Sequence, residues 1–332
     1  MMINNFLVTV FVPVYNGEKY LEQTLNCIQQ QTYTNIEVLL VDDSSTDGSL
    51  QILNQFTEKD ARFKVFVKEN GGIVAKSMNF IRPKINGDYF FYASQDDIFS
   101  LDIIEKMVQR QNETSADSVL PDMEYYFENQ QNNKKIIGLN GDKTIELSGK
   151  EALISSLDWS IHGFALFKSS LLKAEFFPED AFDSDEYVTR KLFLKSNKVV
   201  FSEGLFQYRQ DNANAITKTF SKKNFFVLNT WWRLFEFLKE NNLEDKVIYQ
   251  NQLGLLRTYL HLYRIFEKYD FNTETDKAEV TAFLMNFKET RLTNPFFFYK
   301  FSYVLLKFKW KFIILIGVVK IPLLFWLYKR WK

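Results

Sequence analysis

The chain has 332 residues, about twice the usual single-domain length, so one large or two ordinary domains are expected. A hydrophobic content of 46% and a charged content of 25% exclude wholesale disorder or a collagen-like fibre, and the single cysteine, Cys27, excludes an intrachain disulfide. The formal net charge is zero, but residues 290–332 hold nine Lys or Arg and no Asp or Glu, leaving 32 basic against 41 acidic groups in the rest. An acidic body excludes nucleic acid as its partner, whereas the basic end suits an anionic membrane surface.

The elements follow in chain order. An apolar run over 6–14, without the cationic start or small-residue cleavage site of a signal peptide, predicts a buried strand ended by Pro13 and Asn16-Gly17. Tyr20, Leu21, Leu25 and Ile28 have helical spacing. A second strand, 36–41, runs into Asp42-Asp43-Ser44-Ser45-Thr46-Asp47-Gly48. A helix through Leu50–Phe56, a strand at 63–67 and a short helix stopping near Pro83 lead to a fourth strand, 89–93, which ends in Ser94-Gln95-Asp96-Asp97. Ser100 is placed to cap the helix after it. Strands are then expected near Val119, Ile136, Phe164 and Val199, with a helix over 184–195, and helices throughout 222–288. This alternation predicts an α/β fold with a mainly parallel sheet and helices on both faces, whose ligands sit outside the carboxyl ends of the strands.

The acidic clusters lie at those ends. Carboxylates there suit a divalent cation that shares oxygen ligands with a substrate diphosphate, or hydrogen bonds to a ribose or base. The competing reading is that they are helix N-terminal acids favoured by the macrodipole, which fits Asp47 and Asp102 better than Asp43 or Asp97. Neighbouring side chains on an extended strand point opposite ways, so one Asp of each pair faces the ligand and the other supports it.

Val12-Pro13-Val14-Tyr15-Asn16, Gln31-Thr32-Tyr33, Val41-Asp42-Asp43-Ser44-Ser45-Thr46-Asp47 and Ser94-Gln95-Asp96-Asp97, in this order, resemble family 2 glycosyltransferases with the GT-A fold over residues 6–210. The resemblance implies inverting transfer of a sugar from a nucleotide diphosphate donor, a UDP-sugar most often, with Mg²⁺ or Mn²⁺. It places Pro13, Val14 and Tyr15 around the base, Asp43 on the base or ribose, Glu18 in support, Asp96 on the ribose or sugar and Asp97 on the metal, with Gln95 in place of one acid of the element. Inversion needs a base opposite the diphosphate. The family's acid opening a helix, followed by a basic residue, matches Asp185, with Lys191 six residues on; Glu186 is the close competitor. Their simpler reading is again as helix N-terminal acids.

His162 falls in the region that floors the acceptor site, though a lone His is more often structural. Arg209 sits where relatives close a loop over the diphosphate and suits either phosphate or a surface ion pair. Trp231 and Trp232 suit sugar stacking or core packing. No Gly-x-Gly-x-x-Gly, P-loop or Gly-x-Ser-x-Gly element supports a dinucleotide, nucleotide-hydrolase or serine-hydrolase reading. A catalytically silent sugar-nucleotide-binding or scaffolding relative is the rival.

The expected organisation is a catalytic domain over 1–215, a helical extension over 216–290 and a basic aromatic tail over 291–332. The apolar run at 312–328, broken by Lys320 and Pro322, falls short of a span, so the tail is expected to lie in the headgroup region rather than cross it or pack on the helical extension. With a lipid-linked glycan acceptor, this places the enzyme on the cytoplasmic face of the cell membrane, in surface polysaccharide assembly.

Overall fold

Val8, Val10, Val12 and Val14 share one face of the first strand while Phe11 takes the other, and this period of two decides the layering. The structure, a computed structural model, describes residues 5–293 except 130, 216 and 217. In chain order it comprises β1 (Val8–Val14), α1 (Glu18–Gln29), β2 (Ile36–Asp42), α2 (Ser49–Lys59), β3 (Phe63–Val67), α3 (Val74–Ile81) and β4 (Tyr89–Tyr92). Next come β5 (Ile98–Phe99), α4 (Ile103–Thr114), β6 (Ser118–Tyr126), β7 (Lys134–Ile136), α5 (Gly149–Leu157), β8 (Leu166–Lys168), α6 (Ser169–Lys173), α7 (Ser184–Lys195) and β9 (Val199–Arg209). The helices α8 (Val227–Glu240), α9 (Asp245–Phe266) and α10 (Glu274–Phe287) follow.

The strands form one nine-stranded sheet in the order β3-β2-β1-β4-β8-β6-β9-β5, with β7 paired to β6. The pairings among β3, β2, β1 and β4, and of β6 with β9, are parallel. Those of β4 with β8, β6 with β8, β5 with β9 and β6 with β7 are antiparallel. The sheet is therefore mixed, and the expectation of a mainly parallel one holds for its first half alone. Three elements have no counterpart in the expectations: β5, whose two residues are too short to show a period, and the helices α5 and α6. Ser100 caps no helix: its hydroxyl accepts the Leu205 N–H at 2.9 Å and pins β9 beside β5.

Helices cover both faces, as the alternation predicts. Leu21, Leu25 and Ile28 of α1, Leu53 and Phe56 of α2, and Ile103, Ile104, Met107 and Val108 of α4 pack on the valine face of β1. Ala75, Met78 and Ile81 of α3, with Val188, Leu192 and Phe193 of α7, pack on the Phe11 face. Each such side chain, fully buried, contributes roughly 1.5–3 kcal/mol. Glycine is needed inside β9, where Gly204 has φ +97 and a Cβ would meet the Ile103 backbone at 2.9 Å.

The chain divides into two compact units, the first of residues up to 179 with 184–219, the second of 180–183 with residues from 220 on. In the second, Leu234, Phe235 and Leu238 of α8 are buried, as are Leu255, Leu256 and Tyr259 of α9 and Leu284 and Phe287 of α10. Trp231 and Trp232 pack inward. A Cβ at Gly254 would lie 2.5 Å from the Trp231 ring, and Trp232 meets Phe287 edge-on at 6.3 Å. The tail expected over 291–332 lies outside the described residues from 294 on.

Candidate active site

The parallel strands β1, β2 and β4 end together, and the loops after them hold one another by side-chain to backbone bonds. Asn16, with φ 48, turns the chain out of β1. Its N–H donates to Ser45 Oγ (3.1 Å) and its Oδ1 accepts from the Thr46 N–H (2.8 Å). Glu18 accepts the Gly48 N–H at 2.9 Å, and Asp47 accepts the Glu18 N–H at 3.1 Å. Glu18 thus clamps the loop after β2. Asp47 also accepts the Ser49 N–H (3.0 Å), and although burial opposes ionisation, its hydrogen bonds hold the carboxyl below its ordinary range. Pro13 is partly buried, Val14 fully so, and Tyr15 stands out with 48% of its surface exposed.

Tyr15 is held from across the cleft. Its N–H donates to Gln95 Oε1 (2.8 Å) and its carbonyl accepts from Gln95 Nε2 (3.1 Å). This two-point bond joins the end of β1 to the turn after β4, a role for Gln95 that no sequence signal announced. Asp43 is buried, with Oδ1 accepting from the Lys68 ammonium and from the Gly71 N–H (3.0 Å). Lys68, too, has no motif of its own to point to it.

The acidic turn after β4 differs from the expectation. Asp97, expected to hold the metal, is wholly buried: its Oδ2 accepts from the Ser94 N–H and its Oδ1 from the Arg209 N–H, both at 3.3 Å. Burial, and then the charge of Asp96, pushes its carboxyl up to about 8. A carboxyl enclosed in this way supports the turn. Asp96 is the partly exposed member, with Oδ2 accepting from Asn212 Nδ2 at 2.7 Å.

Of the two readings of Arg209, the structure shows the ion pair, with Glu128 and Asp211, made from a buried position. Its guanidinium is buried rather than poised over a phosphate: Nε donates to the Asp96 carbonyl (2.9 Å), Nη2 to Gln23 Oε1 (2.7 Å) and Nη1 to Glu128 Oε1 (3.1 Å). The guanidinium carbon stacks 4.3 Å from the Tyr20 ring centre. Arg209 ties β9 and α1 to the acidic turn.

Asp185 and Glu186 open α7. Burial raises the Tyr92 phenol far above its ordinary range, and the charges of Asp185, Asp97 and Asp96 raise it further. Glu186 pairs with Arg190, whose Nη2 reaches the Ser156 carbonyl at 3.1 Å. Lys191, the basic residue six after Asp185, pairs with the buried Glu175. His162 is 3% exposed: Nε2 bonds the Pro121 carbonyl at 2.8 Å, Nδ1 is buried without a partner, and burial pushes the imidazole down to about 4. It is a neutral core residue in this arrangement.

Among the described residues, no three acidic, His or Cys side chains converge as a ready-made metal cage. The fit is of another kind: one partly exposed carboxylate, Asp96, could share a cation with a substrate's phosphates, which is how Mg²⁺ is commonly held, and oxygen ligands suit Mn²⁺ as well.

Known proteins agree with this fold. The model of glycosyl transferase family 2 matches residues 9–176. Glycosyltransferase GlyG of Streptococcus pneumoniae serotype 4 is 32% identical over 223 residues, covering 64% of this chain and 74% of GlyG. The poly(ribitol-phosphate) beta-N-acetylglucosaminyltransferase TarS of Staphylococcus aureus is 28% identical over 213 residues, 60% of this chain and 35% of TarS. The structure of TarS 1–349 with UDP-GlcNAc superposes with a TM-score of 0.63 at 19% identity, over 84% of this chain and 80% of that one. A mannosyltransferase from Pyrobaculum calidifontis, in complex with GDP-Man and Mn²⁺, gives 0.50 at 17% identity, over 94% of this chain and 86% of that one. The chain belongs to glycosyl transferase family 2 and is a glycosyltransferase.

Proposed function

We propose that the chain transfers a sugar, with inversion, from a nucleotide diphosphate donor to a hydroxyl of a glycan acceptor. The observation that carries this reading is the placement of Asp43 and Asp96 in the loops after the parallel strands β2 and β4, with Asp185 in the first turn of α7. Tyr15 and Asp43 flank the nucleoside. Asp96, the partly exposed acid of the pair, would hold a Mg²⁺ or Mn²⁺ ion together with the donor's phosphates, with the buried Asp97 behind it. When bound, that ion neutralises charge on the diphosphate leaving group.

Asp185 is the base, favoured over Glu186 by its spacing to the basic Lys191, six residues on. In the step, the acceptor oxygen bonds to the anomeric carbon while the bond from that carbon to the diphosphate oxygen breaks. The hydroxyl proton passes to the Asp185 carboxylate, and the nucleoside diphosphate leaves. UDP is the expected nucleotide, which the UDP-GlcNAc complex of TarS supports; the Mn²⁺ complex of the mannosyltransferase supports a metal-assisted reaction. The basic tail suits an enzyme held at the cytoplasmic face of the cell membrane, working on a lipid-linked glycan in surface polysaccharide assembly.

Thermal melting with UDP, GDP, CDP and dTDP, each with and without Mn²⁺, tests the donor site. A ligand at one hundred times its Kd stabilises the folded chain by about 2.7 kcal/mol. A Mn²⁺-dependent rise with one nucleotide, lost in Asp96→Ala, is expected. No shift with any nucleotide refutes the reading.

A further inference from the structure

Asp185 needs an acceptor beside it, and the neighbouring strands present a surface with the chemistry to hold one. Parallel pairing of β6 with β9 sets Tyr125 against Tyr208, ring centres 6.2 Å apart and inclined at 52°. Both side chains are partly exposed. Phe164 lies 5.3 Å from Tyr208 and stacks at 4.2 Å on Phe206, which is wholly buried, so the pair rests on the core. One step along the same ladder Tyr126 pairs with Arg209, the residue that carries the Asp96–Asp97 turn. From the other side, the loop that carries Phe164 meets α7: a Cβ at Gly163 would lie 2.9 Å from the Thr189 side chain. The tyrosine pair is therefore one residue from Arg209, whose N–H bonds Asp97, and beside the loop that packs on α7.

We propose that Tyr125 and Tyr208 form the platform on which a terminal pyranose ring of the acceptor stacks, its hydroxyl directed at Asp185. This deepens the transfer reading above and rests on it. A pyranose has an apolar C–H face and a polar rim, and tyrosine offers the complementary pair, a flat apolar ring with a polar tip. An acyclic phosphate-linked acceptor would want cations. The guanidiniums near the cleft are engaged elsewhere, Arg190 with Glu186 and the Ser156 carbonyl, Arg209 with Gln23, Glu128 and the Asp96 carbonyl. On the acceptor side, the carboxylates of Asp185 and Glu186 would repel a phosphate. Lys134, exposed and opposite Tyr125 across the β6–β7 ladder, is the handle such an acceptor would use.

The test follows nucleoside diphosphate release by the full chain, with the nucleotide-sugars of whichever nucleotide raises its melting temperature. The acceptors are octyl β-glucoside, octyl β-galactoside, octyl β-N-acetylglucosaminide and ribitol 5-phosphate. A pyranoside is expected to accelerate release above the rate with water. Tyr125→Ala and Tyr208→Ala should each raise its KM by about tenfold, with the donor KM moved by less than about twofold. Tyr125→Phe and Tyr208→Phe, which keep the ring and the packing, should retain the pyranoside KM within about threefold. Phe176→Ala, at an exposed position outside the site, controls for surface substitution. The proposal is overturned if alanine at both tyrosines leaves the pyranoside KM unchanged. Acceleration by ribitol 5-phosphate alone, abolished by Lys134→Ala, overturns it too. So does the absence of acceleration by every pyranoside while a nucleotide still stabilises the chain. A chain that no nucleotide stabilises fails at the transfer reading instead, which separates the two.

Discussion

Acidification should destabilise this protein through His162, by an amount that follows from its surroundings. The ring is buried, donates from Nε2 to the Pro121 carbonyl and has no partner for Nδ1. Protonation would place a charged N–H where nothing accepts it, so the folded state holds the imidazole down to about 4, against an ordinary 6.5. As pH falls through about 6.5 the unfolded chain takes up a proton that the folded chain refuses, and stability drops until the folded ring also titrates near 4. At 1.36 kcal/mol per pKa unit the full loss is about 3 kcal/mol, most of it incurred by pH ~4.5. His162→Gln keeps an N–H donor for Pro121 and removes the titration. Urea unfolding of both proteins at pH ~7 and ~4.5 should show the parent losing about 2–3 kcal/mol more than the variant. Equal losses would refute a buried, neutral His162.

Asp185→Asn should lower kcat by about 10²–10⁴ with the nucleotide-induced melting shift intact, whereas Glu186→Gln should cost far less; single-turnover kinetics and melting curves distinguish them. Arg209→Leu removes a buried charge that several partners surround, so a stability loss of roughly 3–5 kcal/mol is expected, together with loss of the Mn²⁺-dependent nucleotide shift. A variant as stable as its parent would show that Arg209 is not the tie described. Gly204→Ala forces a Cβ against Ile103 at a φ of +97 and should lower stability by more than about 1 kcal/mol, read as a fall in the urea midpoint at unchanged slope.

Much of this was legible before any coordinates. The apolar run of β1 and the helical spacing of Tyr20, Leu21, Leu25 and Ile28 are plain in the sequence, and the acids at strand ends stand out because such sheets bind ligands there. What escaped has physical causes. β5 is two residues long and exists through its pairing with β9. The antiparallel insertion of β8 between β4 and β6 depends on tertiary contacts that no local pattern encodes. Asp96 and Asp97 are adjacent and identical in type, so which is enclosed depends on where β9 and Arg209 arrive. Gln95 and Lys68 are ordinary polar residues whose roles appear once Tyr15 and Asp43 stand beside them.

The two-point bond between Gln95 and the Tyr15 backbone makes a calliper of the donor site. Under the proposed function one jaw, Tyr15, lies against the nucleoside, and the other, Asp96, follows directly on Gln95 in the chain. Since the bridge is an uncharged amide, its span does not vary with pH or with salt. On that proposal a donor is gauged by the distance from its base to its diphosphate before its sugar is read.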